Sequence, residues 1–368
     1  MSQEGSQQNK KIVVIGGTGA QGTPIVQSLA GSLRYDVVVV TRSVASARAR
    51  ELSLLPNVSL LEGQYTDESF LKRAFEGAYG AFVNTDGFTL GERAEVYWGM
   101  RIFELAAAAG VKHYVWGALD YSLKYGKYKE EFRCGHYDGK GRVTEWLLAQ
   151  KGLDIVPSVL TTGPYMEMLY DGMFVPKLVE GGKTLEFRQP LGPHGKVPMV
   201  ALEDVGVFGL WVFDNFDQMK YRDLKVATAH VDFNEVVAAF NSLQAEKGGN
   251  MQARWKPLPM SQFFADMGVP KGVPVTQVFD SSARHGAEGM TFEDNFSGFW
   301  TLWSANVVER DYALLDEIHP GRVRSVREWM EKHSYDGKPK KVLADNTLGN
   351  SKKALFRFVM RKVSCGLF

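Results

Sequence analysis

The stretch CGHYDGKGRVTEWLL (residues 134–148) sets a histidine, His136, four positions ahead of a lysine, Lys140. On a helix that spacing places two side chains on one face, a turn apart. An imidazole with its ordinary pKa of ~6.5 exchanges a proton near neutral pH. An ammonium needs only reach and charge to hold a sugar hydroxyl or a developing oxyanion. His136 and Lys140 are therefore the candidate catalytic pair. Val143, Trp146 and Leu147 give the helix that follows an apolar stripe. Asp138 suits its N-cap, which leaves His136 just outside the helix.

The elements that must carry this pair read as alternating strands and helices. Apolar runs at 11–17 (KIVVIGG), 35–41 (YDVVVVT), 58–63, 79–84, 112–119 and 154–160 predict six strands. Pro157 in the last run suits an edge position better than a central one. Helical spacing at 20–30, 44–54, 67–77 and 92–109 fills the gaps, as in parallel β-α-β units. The fold class is α/β, a Rossmann-type doubly wound parallel sheet with a smaller mixed α/β C-terminal portion. Residues 1–10 read as a disordered leader, 11–160 as a dinucleotide-binding domain, 161–335 as a substrate or partner portion, and 336–368 as a basic tail. Helical stretches are predicted at 202–214, 233–245 and roughly 288–315.

With 368 residues, 45% hydrophobic and 23% charged, the chain reads as globular. A net charge of +1 predicts no nucleic-acid partner. Cys134 and Cys365 match no disulfide framework, which points to a reducing compartment, cytoplasmic or nuclear. The histidines show no metal-ligand spacing, and no metal is expected. His194, in a glycine-proline loop, reads as solvent-exposed.

GGTGAQG (16–22) falls at the first strand-to-helix turn, where a glycine triplet carries meaning. Gly16 allows the turn, Gly19 lets backbone N–H groups approach a pyrophosphate, and Gly22 lets helix and strand pack closely. Thr18, Ala20 and Gln21 complete the loop. The second strand ends in Thr41-Arg42-Ser43, with no acid to take a ribose 2′-hydroxyl; Arg42 suits the 2′-phosphate of NADP(H). Ser43, Ser46 and Arg48 could add donors, and the bland alternative for Arg42 is a solvated surface arginine. NADP(H) is the expected cofactor.

Together GGTGAQG, the TRS after the second strand and HYDGKG resemble the NmrA-like family of atypical short-chain dehydrogenase/reductases, over about residues 11–335 and weakly through 215–285. The likeness is greatest to its NADP(H)-sensing branch. It implies that NADP(H) lies across the glycine loop and that Lys140 contacts the nicotinamide ribose. It also implies that the turn Asn84-Thr85-Asp86 passes beside the nicotinamide half, and that Pro164-Tyr165-Met166-Glu167-Met168 forms an aromatic loop bearing the contacts Tyr165 and Met168. The sequence departs from the family near adenine, where Gln64-Tyr65 follows Gly63 in place of an acid. It departs also at Met168, where asparagine is common, and near Ser158, where an arginine is usual.

Typical short-chain reductases add a serine at the end of strand five and a Tyr-x-x-x-Lys pair. Here strand five ends in glycine and alanine, Ser122 comes too late, and histidine replaces the tyrosine. Tyr125 and Lys129 have the literal spacing but lie in a charged loop without a helical apolar face, so that pair reads as a coincidence. Two functions stay open. One is an NADPH-dependent oxidoreductase acting on a small aromatic or conjugated carbonyl or imine substrate, in a pocket drawn from Tyr165, Met166, Met168, Tyr170, Met173 and Phe174. These could equally fill core gaps. The other is a non-catalytic NADP(H) redox sensor acting through a protein partner. The tail SKKALFRFVMRKVSCGLF reads as a plain basic extension. The alternative is weak membrane association through its basic residues and a prenylated Cys365.

Overall fold

The computed structural model describes residues 9–268, 271–273, 275 and 290–343. The expected leader up to residue 8, the basic helix of the tail and Cys365 lie outside these residues.

Six strands appear where the apolar runs predict them: β1 (Lys10–Ile15), β2 (Tyr35–Thr41), β3 (Val58–Glu62), β4 (Gly80–Val83), β5 (His113–Leu119) and β6 (Val156–Thr162). They pair in parallel in the order β6-β5-β4-β1-β2-β3. This is the Rossmann-type doubly wound sheet, and its order reverses beside β1. Alternation along β1 explains why the run is apolar throughout. Ile12 and Val14 pack with Ile25, Val26 and Leu29 on one face, while Val13 and Ile15 pack with Ala81, Val83 and Phe103 on the other.

Seven helices of this half are α1 (Gly22–Gly31), α2 (Ala47–Leu52), α3 (Glu68–Phe75), α4 (Gly87–Leu90), α5 (Glu92–Ala108), α6 (Ser122–Tyr125) and α7 (Gly135–Ala149). A further parallel strand, Asp223–Lys225, pairs with Val159–Thr161 of β6. β6 is therefore not an edge strand, contrary to the expectation from Pro157. The proline is in register with Tyr114 of β5 but precedes the residues that pair with Asp223–Lys225, and its carbonyl still accepts from Tyr221 N at 2.9 Å. The helix Leu202–Asp214 lies against α1, with Gly206 and Gly209 facing Pro24 and Ile25, where a Cβ would be crowded.

The later residues add an antiparallel pair, Val197–Met199 with Ala229–Val231, and a three-stranded sheet of Lys177–Val179, Thr184–Phe187 and Gln252–Trp255. A third apolar core fills this portion. The helix predicted near 288–315 is two helices, Phe292–Ser304 and Tyr312–Ile318. Thr291 and Asp294 cap the first reciprocally, and Asn306 with φ +50° lies in the turn that ends it.

Candidate functional site

The glycine loop lies at the carboxyl end of β1, where ligands of open α/β sheets bind. Gly16 has φ +81°, and a Cβ there would come 2.5 Å from the Asn84 carbonyl oxygen. A Cβ on Gly22 would stand 2.1 Å from the Gly16 carbonyl oxygen, so only glycine lets α1 begin this close to the turn. The loop is pinned by Gly19 N donating to Gly16 O at 2.9 Å. Gln21 opens α1, and its Nε2 is buried without a protein partner among the described residues. The chain thus presents a helix N-terminus, a tight glycine cradle and an unanswered amide donor, a set that fits a pyrophosphate.

Lys140 projects from α7 into the crevice between the ends of β4 and β5. Its Nζ donates to Asn84 Oδ1 (3.0 Å), Thr85 O (3.0 Å) and Gly117 O (3.2 Å), with Thr85 Oγ1 at 3.3 Å. Glu95 of α5, fully buried, places Oε1 3.1 Å from the same nitrogen and accepts from Thr85 Oγ1 at 2.8 Å. The ammonium also lies 4.8 Å from the ring centre of Trp116, which rises from β5. Asn84 Nδ2 continues the row to Gln21 Oε1 at 3.1 Å, and Tyr165 Oη donates to the same oxygen at 3.3 Å. Five of the expected residues, Lys140, Thr85, Asn84, Gln21 and Tyr165, therefore form one hydrogen-bonded row beside the glycine loop.

His136 lies inside α7, one turn before Lys140, and not outside the helix. Asp138 is correspondingly not the N-cap. It sits in the first turn, and its carboxylate accepts from Cys134 N (2.8 Å) and Leu123 N (2.9 Å), which ties α7 to α6. Burial raises the Asp138 carboxyl to about 6. The His136 ring is partly buried against Phe88 (4.6 Å between centres) and Phe296 (5.5 Å), and Asn295 meets its Nδ1 at about 3 Å. Desolvation pushes its pKa down to about 4, with Lys140 adding to the effect against the Asn295 hydrogen bond. At neutral pH this histidine is uncharged. Cys134, next to it, is buried with its thiol pushed well up by desolvation, and is no thiolate nucleophile.

The sequence profile of the NmrA-like family matches residues 8–310. The chain belongs to the NmrA-like family. It is 28% identical over 273 residues to the NmrA-like family domain-containing oxidoreductase himF of Aspergillus japonicus, covering 70% of this chain and 79% of that one. In three dimensions it is similar to NmrA, a negative transcriptional regulator in complex with NADP (21% identity, TM-score 0.59, 90% of this chain and 99% of that one). It is likewise similar to an NADPH-dependent quinone oxidoreductase, QOR2, of Escherichia coli in complex with NADPH (20% identity, TM-score 0.66, 88% of this chain and 100% of that one).

Other expected residues of this NmrA-like chain fall around the row or away from it. Arg42 is exposed and makes no ion pair among the described residues, while Gln64 is exposed beside the end of β3. Arg48 is occupied: its guanidinium donates to Thr18 O of the glycine loop (3.3 Å) and to Val342 O, tying the loop to the C-terminal segment. Asp86 spends its carboxylate capping α4 through Phe88 N and Thr89 N. Met168 is partly buried in the loop after β6, whereas Met166, Tyr170, Met173 and Phe174 are buried in the C-terminal core. The expected pocket wall thus reduces to Tyr165 and Met168, because the other four fill packing space. Ser122 Oγ donates to Phe132 O at 2.6 Å, and Tyr125 Oη takes a hydrogen bond from Lys225 at 2.7 Å while Lys129 is exposed. That Tyr-Lys pair forms no site, and His194 is exposed in its loop.

Sequence reasoning missed Glu95, Phe88, Asn295 and Phe296. Glu95 carries no signal, since an acid in the first turn of a charged helix reads as a surface residue. Asn295 and Phe296 arrive from more than a hundred positions downstream, and no local pattern links them to His136.

Proposed function

We propose that the chain is an NADP(H)-dependent oxidoreductase that reduces a small aromatic or conjugated carbonyl or imine substrate. One observation carries this reading: the hydrogen-bonded row from Lys140 through Asn84 to Gln21 runs along the glycine loop, and the packed rings of Phe88, His136 and Phe296 lie one helical turn from Lys140. The glycine loop and the start of α1 hold the pyrophosphate, Arg42 takes the 2′-phosphate, and Lys140 holds the nicotinamide ribose. Bound NADPH supplies the hydride. A flat π-system would stack on the part-exposed side of this ring cluster, where Asn295 fixes the imidazole.

Within that substrate class the site favours an imine that arrives as its iminium ion. A carbonyl needs a proton on oxygen as hydride reaches carbon, and a neutral His136 is a poor source of one. With a pKa of about 4, His136 is protonated in roughly one molecule in a thousand at neutral pH. Lys140 is given over to the nicotinamide ribose in this reading, and Ser122 is spent on Phe132 O. An iminium carbon needs only hydride and leaves as a neutral amine. Phenylalanine faces also attract such a cation.

The weak proton supply also favours the second reading, a non-catalytic NADP(H) sensor that acts through a protein partner. NADPH oxidation, followed by absorbance against cyclic iminium ions, enones and quinones, separates the two. Turnover should be fastest with the iminium ions, and His136→Ala should lower it about tenfold or more while sparing NADPH affinity. NADPH binding without turnover on any of the three classes would leave the sensor.

A further inference from the structure

Lys140 has three N–H protons and five oxygen neighbours within 3.3 Å, and only one of the five carries a formal charge. That one is Glu95. It is fully buried, so its carboxylate has exchanged water for the lysine and for Thr85 Oγ1, and its second oxygen has no hydrogen-bond partner among the described residues. A buried carboxylate held this incompletely is costly unless it serves its partner. The backbone gives way to it as well. A Cβ on Gly87 would stand 2.4 Å from Glu95 Oε2, and one on Gly139 3.2 Å from the same oxygen. Glycine on both α4 and α7 leaves room for an acid between them.

We propose that Glu95 is the positioning residue for Lys140. Through Oε1 and Thr85 it holds the buried ammonium charged, at the junction of β4, β5 and α7, in reach of the nicotinamide ribose. This rests on the cofactor reading for the ribose contact alone; the hold of Glu95 on Lys140 is a property of the protein without ligand. The other titratable groups facing the pair are Asp86, which repels the Glu95 charge, His136, which burial keeps neutral with Lys140 adding to the effect, and Tyr65, which senses Glu95 and Asp86. Burial raises the Glu95 carboxyl above its ordinary range, and Lys140 and Thr85 work against that rise. The two ions therefore stand or fall together.

The decisive variant is Glu95→Gln, which keeps size and an acceptor oxygen but removes the charge. In full-length protein labelled with 13C at lysine Cε, Lys140→Met identifies the Lys140 resonance by difference. In Glu95→Gln its titration should fall by about two pH units or more relative to the wild type, because a buried lysine without its counter-ion gives up its proton. NADPH affinity of Glu95→Gln should then weaken roughly tenfold between pH 7 and 9, while that of the wild type changes less than about twofold. A purely structural role would lower thermal stability without creating this pH dependence.

An unchanged Lys140 titration in Glu95→Gln overturns the proposal. If instead the titration shifts but Lys140→Met binds NADPH as the wild type does, the cofactor reading fails and the hold of Glu95 stands. Should Glu95→Gln be too unstable to purify, the shorter Glu95→Asp decides: an unchanged Lys140 titration there contradicts the proposal, and a lowered one supports it.

Discussion

Asn84 and Gln21 meet across the mouth of the sheet, Nδ2 to Oε1 at 3.1 Å, joining the end of β4 to the residue that opens α1. The other face of the same Asn84 amide accepts from Lys140 at 3.0 Å. One side chain therefore sets the distance between the glycine loop and the lysine, the places proposed for the pyrophosphate and the nicotinamide ribose. Asn84→Ala cuts the row at its middle. NADPH affinity should drop roughly tenfold, the scale of one or two buried hydrogen bonds, and fluorescence titration measures it. The melting temperature should move by only a few degrees.

Asp120 and Arg310 form a pair with two hydrogen bonds, 3.0 and 2.7 Å, and neither side chain reaches solvent. Asp120 follows the end of β5, and Arg310 comes from the chain between the two helices Phe292–Ser304 and Tyr312–Ile318, so the pair fastens the later portion onto the sheet edge. Asp120→Leu strands a buried guanidinium and should cost about 3–5 kcal/mol of stability. Adding Arg310→Met should recover part of that loss. Urea unfolding of the two single variants and the double variant reads the coupling, and strict additivity would show the pair to be weaker than its geometry implies.

Glu167, in the loop after β6, receives Leu202 N at 3.2 Å and Trp329 Nε1 at 3.4 Å. Burial nonetheless raises its carboxyl to about 7, from an ordinary value of 4.5. The folded chain then holds this proton more tightly than the unfolded chain does. The resulting stabilisation is full below pH 4.5 and is lost as pH rises through 7. Relative to Glu167→Gln, the wild type should lose about 3 kcal/mol of unfolding free energy across that window. Chemical denaturation of both proteins at several pH values tests the sign as well as the size.

Much of the fold was legible because its strands are buried on both faces. The run YDVVVVT coincides with β2, since no residue in it has another use. The glycine loop was equally legible, because Gly16 and Gly22 occupy places where a Cβ collides with backbone. Pro157 misled because the short strand Asp223–Lys225 comes from a stretch with no strand rhythm and covers β6 beyond the proline. Around the site, Lys140 could be found from its spacing and the family likeness. The chemistry of His136 could not, since its neutral state depends on Phe88, Asn295 and Phe296, which only folding brings to it. Met166, Tyr170, Met173 and Phe174 look the same in sequence whether they line a pocket or fill a core.

The most direct measurement is the dissociation constant of NADPH and of NADH, by calorimetry, for the wild type and for Arg42→Ala. Arg42 stands exposed at the end of β2, with no ion pair among the described residues; the neighbouring Glu62 of β3 accepts from Val44 N at 2.9 Å. The wild type should prefer NADPH, and Arg42→Ala should lose NADPH affinity by about ten- to a hundredfold, as expected for a charge-assisted phosphate contact, with NADH changed less than about twofold. Equal affinity of the wild type for both cofactors, or an unchanged preference in Arg42→Ala, would contradict the assignment of this site to NADP(H).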